Sequence, residues 1–203
     1  MQINSKIHFI GISGIGMSGI AELMLDKGYS IQGSDISVND NTKRLKTKGI
    51  KFFLGHNKKN IKNANAVVYS SAIKKNNPEI KEAYIKKIPV LSRADMLAEL
   101  MKYKKSIAIA GSHGKTTTTS LVGNIFNEAG LDPTIVNGGI INSFSNNNRY
   151  GKGEWMIVEA DESDGTFLKL PHQISIITNL DIEHMDFYKS KKNLINAFEK
   201  FIN

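Results

Sequence analysis

The sequence predicts an α/β fold built from two successive parallel-sheet domains. Three observations carry that prediction. Short β-branched runs alternate with helical stretches, the pattern of a parallel sheet covered by helices. A strand, a glycine loop and a helix open the chain, and the same opening returns after residue 105. Charge also divides the chain: residues 1–104 hold 18 Lys/Arg against 8 Asp/Glu, or +10, and residues 105–203 hold 9 against 11, or −2. The expected domains are therefore 1–104 and 105–203.

The elements follow in order. "KIHFIGI" (6–12) reads as a buried strand, and "IAELMLDKG" as a helix stopped by Gly28. "YSIQGSD", "KGIKFFLGH" and "ANAVVYSSAI" supply further strands. "PEIKEAYIKK" reads as a helix, "IPVLS" as a strand and "RADMLAELMKYKK" as a helix. "SIAIA" (106–110) restarts the series, followed by the helix "TTTSLVGNIFNEAG" ending at Gly130. "PTIVNGG", "EWMIVEA" and "QISIITN" are three more strands, "NSFSNNN" (142–148) an exposed loop, and "KSKKNLINAFEKFIN" a final helix.

Composition narrows the function. The 203 residues include no cysteine, which rules out disulfides and thiolate metal sites and fits a reducing compartment. No run approaches the ~20 apolar residues of a membrane span, and no signal peptide is visible, so a soluble cytoplasmic protein without membrane insertion is expected. Eight basic residues and no acid lie between Lys43 and Lys62. Arginine is scarce, however (Arg44, Arg93 and Arg149), so the excess reads as compositional bias and no nucleic-acid partner is expected. An anionic small substrate suits the first half.

Chemistry concentrates in the loops. Gly14-x-Gly16-x-x-Gly19 lies between a strand and a helix, where bare backbone can approach a pyrophosphate and helix N–H groups point at it. Asp35 ends the next strand, where a ribose acceptor belongs. Taken alone, these residues suggest a dinucleotide such as NAD. The second loop, "AGSHGKTTTT", carries Gly111-x-x-Gly114-Lys115-Thr116. Its lysine and hydroxyl occupy the phosphate and magnesium positions of a P-loop, although the first glycine stands closer than the strict spacing allows. "IVEADESD" puts Glu159 at a strand end with Asp161, Glu162 and Asp164 beyond, and "ITNLDIEHMD" places Asn179, Glu183, His184 and Asp186 after another strand. Both clusters should rise on the edge that bears Lys115. Glu162 and Asp164 are expected in a solvated loop, and His8 and His172 in structural or surface positions.

Together "GISGIGMSGIA", "GSD", "SSAI", "RADMLAELM", "AGSHGKTTTTS", "VEADESD" and "TNLDIEHMD" resemble the Mur ligases through nearly the whole chain. The resemblance implies a Rossmann-like N-terminal domain that holds a UDP-sugar, not NAD. An incomplete P-loop α/β ATPase domain would follow it, with the family's third domain absent and an exposed sheet edge. It implies ATP-dependent amide-bond formation between L-alanine and UDP-N-acetylmuramate through an acyl phosphate, for which this chain alone would be insufficient. By the same resemblance, Gly14, Ile15, Gly16 and Met17 would hold the pyrophosphate. Asp35, Ser70 and Ser71 would lie near the uridine, with His56 a weaker candidate. Gly111, Ser112, His113, Gly114, Lys115, Thr116, Thr117 and Asn179 would surround ATP. Thr116 and Glu159 would bind Mg2+, His184 a second metal or the acyl phosphate, and Lys115, Glu159 and His184 would serve catalysis. A related ligase recycling murein tripeptide, a non-catalytic nucleotide-binding module and an NAD-dependent oxidoreductase stay open at this stage, as does the oligomeric state.

Overall fold

A computed structural model describes residues 5–141 and 146–203, with the side chains of 139–141, 146 and 147 outside the description. The chain divides into two compact units, Met1–Met96 and Leu97–Asn203. The division falls inside a helix, eight residues before the expected 104/105 boundary (104 − 96).

Unit 1 contains β1 (Lys6–Ile10), α1 (Ile15–Asp26), β2 (Ser30–Asp35), α2 (Asp40–Thr47), β3 (Lys51–Leu54), β4 (Ala66–Tyr69), α3 (Pro78–Ile85) and β5 (Val90–Ser92), and α4 (Arg93–Met101) begins in it. Its five strands run parallel in the order β3-β2-β1-β4-β5. Ile7, Phe9, Ile10, Val67 and Val68 are fully buried, which is why the central strands read as continuous apolar runs. Gly33 on β2 is obligatory: a Cβ there would come within 2.7 Å of the Phe9 carbonyl oxygen and 2.6 Å of Ile12. The helix α2, "DNTKRLKT", was not expected. Only Thr42 and Leu45 are buried on it, and a capping box between Asn39 and Thr42 holds its start.

A buried polar network centres on Glu79 of α3, which is fully enclosed. Its carboxylate accepts from Ser34 Oγ at 2.6 Å and Asn60 Nδ2 at 2.7 Å. His56 Nδ1 stands 3.2 Å away and His8 Nε2 3.6 Å. Burial alone would raise the Glu79 carboxyl, but His8, Ser34 and Asn60 outweigh it and hold the group below the ordinary carboxylate range. A carboxylate lowered by folding contributes stability above its unfolded pKa, and that contribution is lost as pH falls through the folded value. Glu79→Ala is therefore expected to destabilise unit 1 by roughly 3 kcal/mol at neutral pH. The difference from the parent should shrink in acid, as read by urea unfolding at a series of pH values. An equal loss at every pH would contradict the ionic role.

Unit 2 contains β6 (Lys105–Ala110), α5 (Lys115–Glu128), β7 (Thr134–Ile141), β8 (Asn146–Arg149), β9 (Trp155–Glu159), β10 (Ile174–Ile177), α6 (Met185–Tyr188) and α7 (Lys191–Ile202). The order is β10-β6-β9-β7-β8, parallel except for the antiparallel pair β7 and β8. Of the loop expected at 142–148, residues 142–145 lie outside the described residues, and from Asn146 onward the chain is strand instead of loop. Pairing with β7 overrides the polar composition of "NNNR" there. Helix α5 seats on the sheet through Gly123, where a Cβ would meet Ile135 Cδ1 at 2.6 Å. Among the described residues β10 has a strand neighbour on one side only, and Ile174 on it is exposed. No helix among the described residues is long and apolar enough to cross a membrane.

Candidate functional site

In unit 1 the turn between β1 and α1 carries the first glycine loop. Gly11 adopts φ +81, and a side chain there would meet Ser70 Cβ at 3.0 Å. Gly14 caps α1 without a side-chain bond, leaving the N–H groups of the first turn, those of Ile15, Gly16 and Met17, without intrahelical partners. The side chains divide: Ile15 is half exposed, whereas Met17 is buried at 2% exposure. Met17 therefore serves the core, and only its main chain belongs to the loop. The Asp35 carboxylate is likewise occupied. It accepts from Ser13 N at 2.9 Å, Ser13 Oγ at 2.5 Å and Ile36 N at 2.7 Å. Here Asp35 fastens the loop to the end of β2, and a ribose hydroxyl would have to compete for it. Ser70 Oγ accepts from Ala72 N, Ser71 is exposed, and His56 belongs to the Glu79 network.

Sequence reasoning passed over Arg93. Its Nη1 lies 3.1 Å from where a Cβ on Gly16 would stand, so the missing side chain makes room for a guanidinium over the start of α1. The signal was present: arginine in a lysine-rich chain marks a place where a planar, two-pronged donor matters.

In unit 2 the second loop joins β6 to α5. Gly111 (φ +136) and Gly114 (φ +78) occupy conformations that L side chains rarely adopt. Because β6 lies between β9 and β10, the carboxyl ends of both neighbours flank the loop. From the β10 side, Asn179 O accepts from Ser112 N at 3.2 Å and Asn179 Oδ1 from His113 N at 2.9 Å. Asn179 Nδ2 and Thr178 Oγ1 both donate to the His113 carbonyl. Asn179 thus shapes the cradle, and the two N–H groups it uses are not aimed at a ligand. The first-turn N–H groups of Lys115, Thr116 and Thr117 remain, as at any helix start. The His113 ring faces Asp181 at 3.1 Å and Glu183 at 3.7 Å, outside the cradle.

From the β9 side, Thr116 Oγ1 donates to Glu159 Oε2 at 3.0 Å, and Gly138 N donates to the same oxygen at 2.6 Å. A hydroxyl and a carboxylate this close form the hard oxygen set that magnesium prefers. Lys115 Nζ is folded back. It donates to Gly111 O at 2.5 Å and Ser112 O at 3.2 Å, and pairs with Glu162 Oε2 at 3.0 Å.

Glu162 corrects an expectation, being 1% exposed and not a solvated loop acid. The turn after β9 tucks it under Lys115, and Tyr188 Oη donates to its carbonyl at 2.5 Å. Burial, together with the carboxylates Glu162, Asp164 and Asp161, pushes that tyrosine up to about 12. Asp164 instead caps the turn at Thr166. His184 Nε2 lies 3.5 Å from Glu162 Oε1, so the structure groups it with Glu162 and Lys115, while Thr116 pairs with Glu159. Donor atoms of Glu162, Glu183 and His184 lie within 4.8 Å of one another. His8 is buried beside Glu79, and His172 bonds the carbonyls of Leu170 and Phe201; both are structural.

A hollow of about 530 Å3 lined by Lys102, Tyr103, Lys104 and Tyr150 lies at the opposite, amino end of β6. Lys104 is consumed there by the carbonyls of Gly151 and Gly153. The chemistry converges on the other edge.

The catalytic domain of the Mur ligase family matches residues 6–105, and the Mur ligase middle domain matches residues 109–203. The UDP-N-acetylmuramate–L-alanine ligase of Rickettsia bellii is 60% identical over 201 residues, covering 99% of this chain and 42% of the relative. That of Methylobacterium radiotolerans is 57% identical over 197 residues, with 97% and 42% covered. The chain thus spans less than half the length of the curated relatives it matches. Among solved structures, the UDP-N-acetylmuramate-alanine ligase of Thermotoga maritima superposes with a TM-score of 0.90 at 34% identity, covering 97% of this chain and 46% of that one. A Neisseria meningitides UDP-N-acetylmuramate:L-alanyl-gamma-D-glutamyl-meso-diaminopimelate ligase reaches 0.89 at 23% identity, over 97% and 67%, which speaks for the fold alone.

Proposed function

Because the chain belongs to the Mur ligase family, we propose that it carries the two nucleotide-binding parts of a cytoplasmic ligase. That enzyme joins L-alanine to UDP-N-acetylmuramate at the expense of ATP, in peptidoglycan synthesis. The observation that carries the reading is the convergence of Lys115, Thr116 and Glu159 on one sheet edge, at a helix start built on bare glycines.

The reaction moves the γ-phosphate of ATP to the muramoyl carboxylate, and the alanine amine then displaces phosphate from the acyl phosphate to form the amide. Both reacting partners of the first step are anionic, so fixed positive charge has to stand between them. Lys115 supplies one such charge, and the first-turn N–H groups of α5 orient the phosphates. Thr116 and Glu159 would hold Mg2+, which when bound neutralises charge on the outer phosphates. His184, next to Glu162, stands where it can contact a second cation or the acyl phosphate. In unit 1, the main chain of Gly14–Met17 would receive the UDP pyrophosphate. The part of the reaction that the relatives' remaining length serves is not assigned to these 203 residues.

Titration calorimetry with UDP-N-acetylmuramate tests the unit 1 assignment. The folded chain is expected to bind, and Arg93→Ala to weaken binding by roughly 10- to 150-fold, the worth of about 1.5–3 kcal/mol for a charge-assisted hydrogen bond. NADH is expected to give no fluorescence change. A folded chain that binds NADH and ignores the UDP-sugar would overturn the assignment in favour of an oxidoreductase.

A further inference from the structure

Resting on the reading of the second loop as a phosphate site, we propose that Glu162 is a positioning residue. It holds Lys115 as a counter-ion and exchanges it for a divalent cation when nucleotide enters. The ammonium of Lys115 has three N–H donors and faces four oxygens: it bonds two loop carbonyls and Glu162 Oε1 and lies 3.0 Å from Glu162 Oε2. To reach a phosphate it has to leave them. Glu162 is 1% exposed, and a buried carboxylate stripped of its ammonium partner is strongly destabilised unless another cation arrives. Groups that could hold such a cation stand beside it. His184 Nε2 is 3.5 Å from Oε1, and Glu183 adds a second carboxylate within 4.8 Å. Two carboxylates and an imidazole form a donor set that a divalent cation accepts. The main chain of both partners is held, because Tyr188 Oη fastens the Glu162 carbonyl and Lys115 is the first residue of α5.

The exchange makes nucleotide and metal affinity interdependent, and its sign is specific. In Glu162→Gln the uncharged amide no longer neutralises Lys115, so ADP without metal is expected to bind about tenfold tighter than to the parent chain, following the loss of one like charge beside the phosphates. The same substitution removes one carboxylate donor, so Mn2+ is expected to bind about tenfold more weakly. Glu162→Asp keeps the charge and is expected to stay within about threefold of the parent on both counts.

Calorimetry with ADP in the presence of a chelator, and electron paramagnetic resonance of free Mn2+, read the two quantities without turnover. Opposite shifts in Glu162→Gln support the exchange. Losses of both affinities, or no change in either, overturn it while leaving the phosphate site intact, since the parent still binds ADP. Failure of the parent itself to bind ADP overturns the phosphate site and the exchange together.

Discussion

Gly111→Ala is expected to destabilise unit 2 by roughly 2–5 kcal/mol and to abolish nucleotide binding with it. Two costs combine. At φ +136 an L side chain is strained by about 1–2 kcal/mol. The added Cβ would also fall 2.1 Å from Thr178 Oγ1 and 2.9 Å from the Asn179 carbonyl oxygen, and overpacking of that kind typically costs about 1–3 kcal/mol. The neighbours have little freedom to yield, because Ile177 pairs with Ala110 and Thr178 N donates to the Ala110 carbonyl. Gly130→Ala is the natural comparison. Gly130 also has positive φ, but nothing lies within 4 Å of a Cβ there, so only the conformational cost of about 1 kcal/mol remains. Urea unfolding of both variants separates crowding from backbone strain, and equal losses would contradict the close approach of the β10 end to the loop.

Much of this was legible from the residues. The strands with continuous apolar runs, "KIHFI" and "SIAIA", were visible because both faces are buried, and the glycine loops because each interrupts a strand-to-helix passage. Helix α2 was not, since its buried set is reduced to Thr42 and Leu45 and its start depends on a side-chain cap. At the site, Lys115, Thr116 and Glu159 were legible from type and spacing, and the strand order β10-β6-β9 brings them together. Glu162 was hidden for a different reason. Nothing in "EADESD" distinguishes an acid that faces water from one folded under a lysine of another element, because that contact spans 47 residues of chain. Asp35 shows the converse: its position suggested a ligand acceptor, but Ser13 of the loop and the neighbouring Ile36 N already take three of its acceptor sites. Arg93 carried in the sequence only the signal of a rare arginine, and the space above Gly16 gives it a place.

The second large effect belongs to Lys115. Methionine there keeps the length and apolar stem and removes the ammonium. Two consequences follow, and they can be separated. Glu162 loses its partner, which is expected to destabilise unit 2 by about 3 kcal/mol. The phosphates lose a charge-assisted contact of about 2–3 kcal/mol, or roughly 30- to 150-fold in affinity. In the double variant Lys115→Met/Glu162→Gln no buried carboxylate is left uncompensated, so stability should largely return while the affinity loss persists. Recovery of nucleotide binding along with stability would assign the lysine a purely structural part.

Calorimetric titration of Mg-ATP into Glu162→Gln and into this double variant, which differ only at residue 115, bears most directly on the claim that the Gly111–Thr117 stretch grips a nucleoside triphosphate through Lys115. Measurable binding by Glu162→Gln and a loss of roughly 30-fold or more in the folded double variant is the result the geometry predicts. Equal affinities in the two proteins would contradict it.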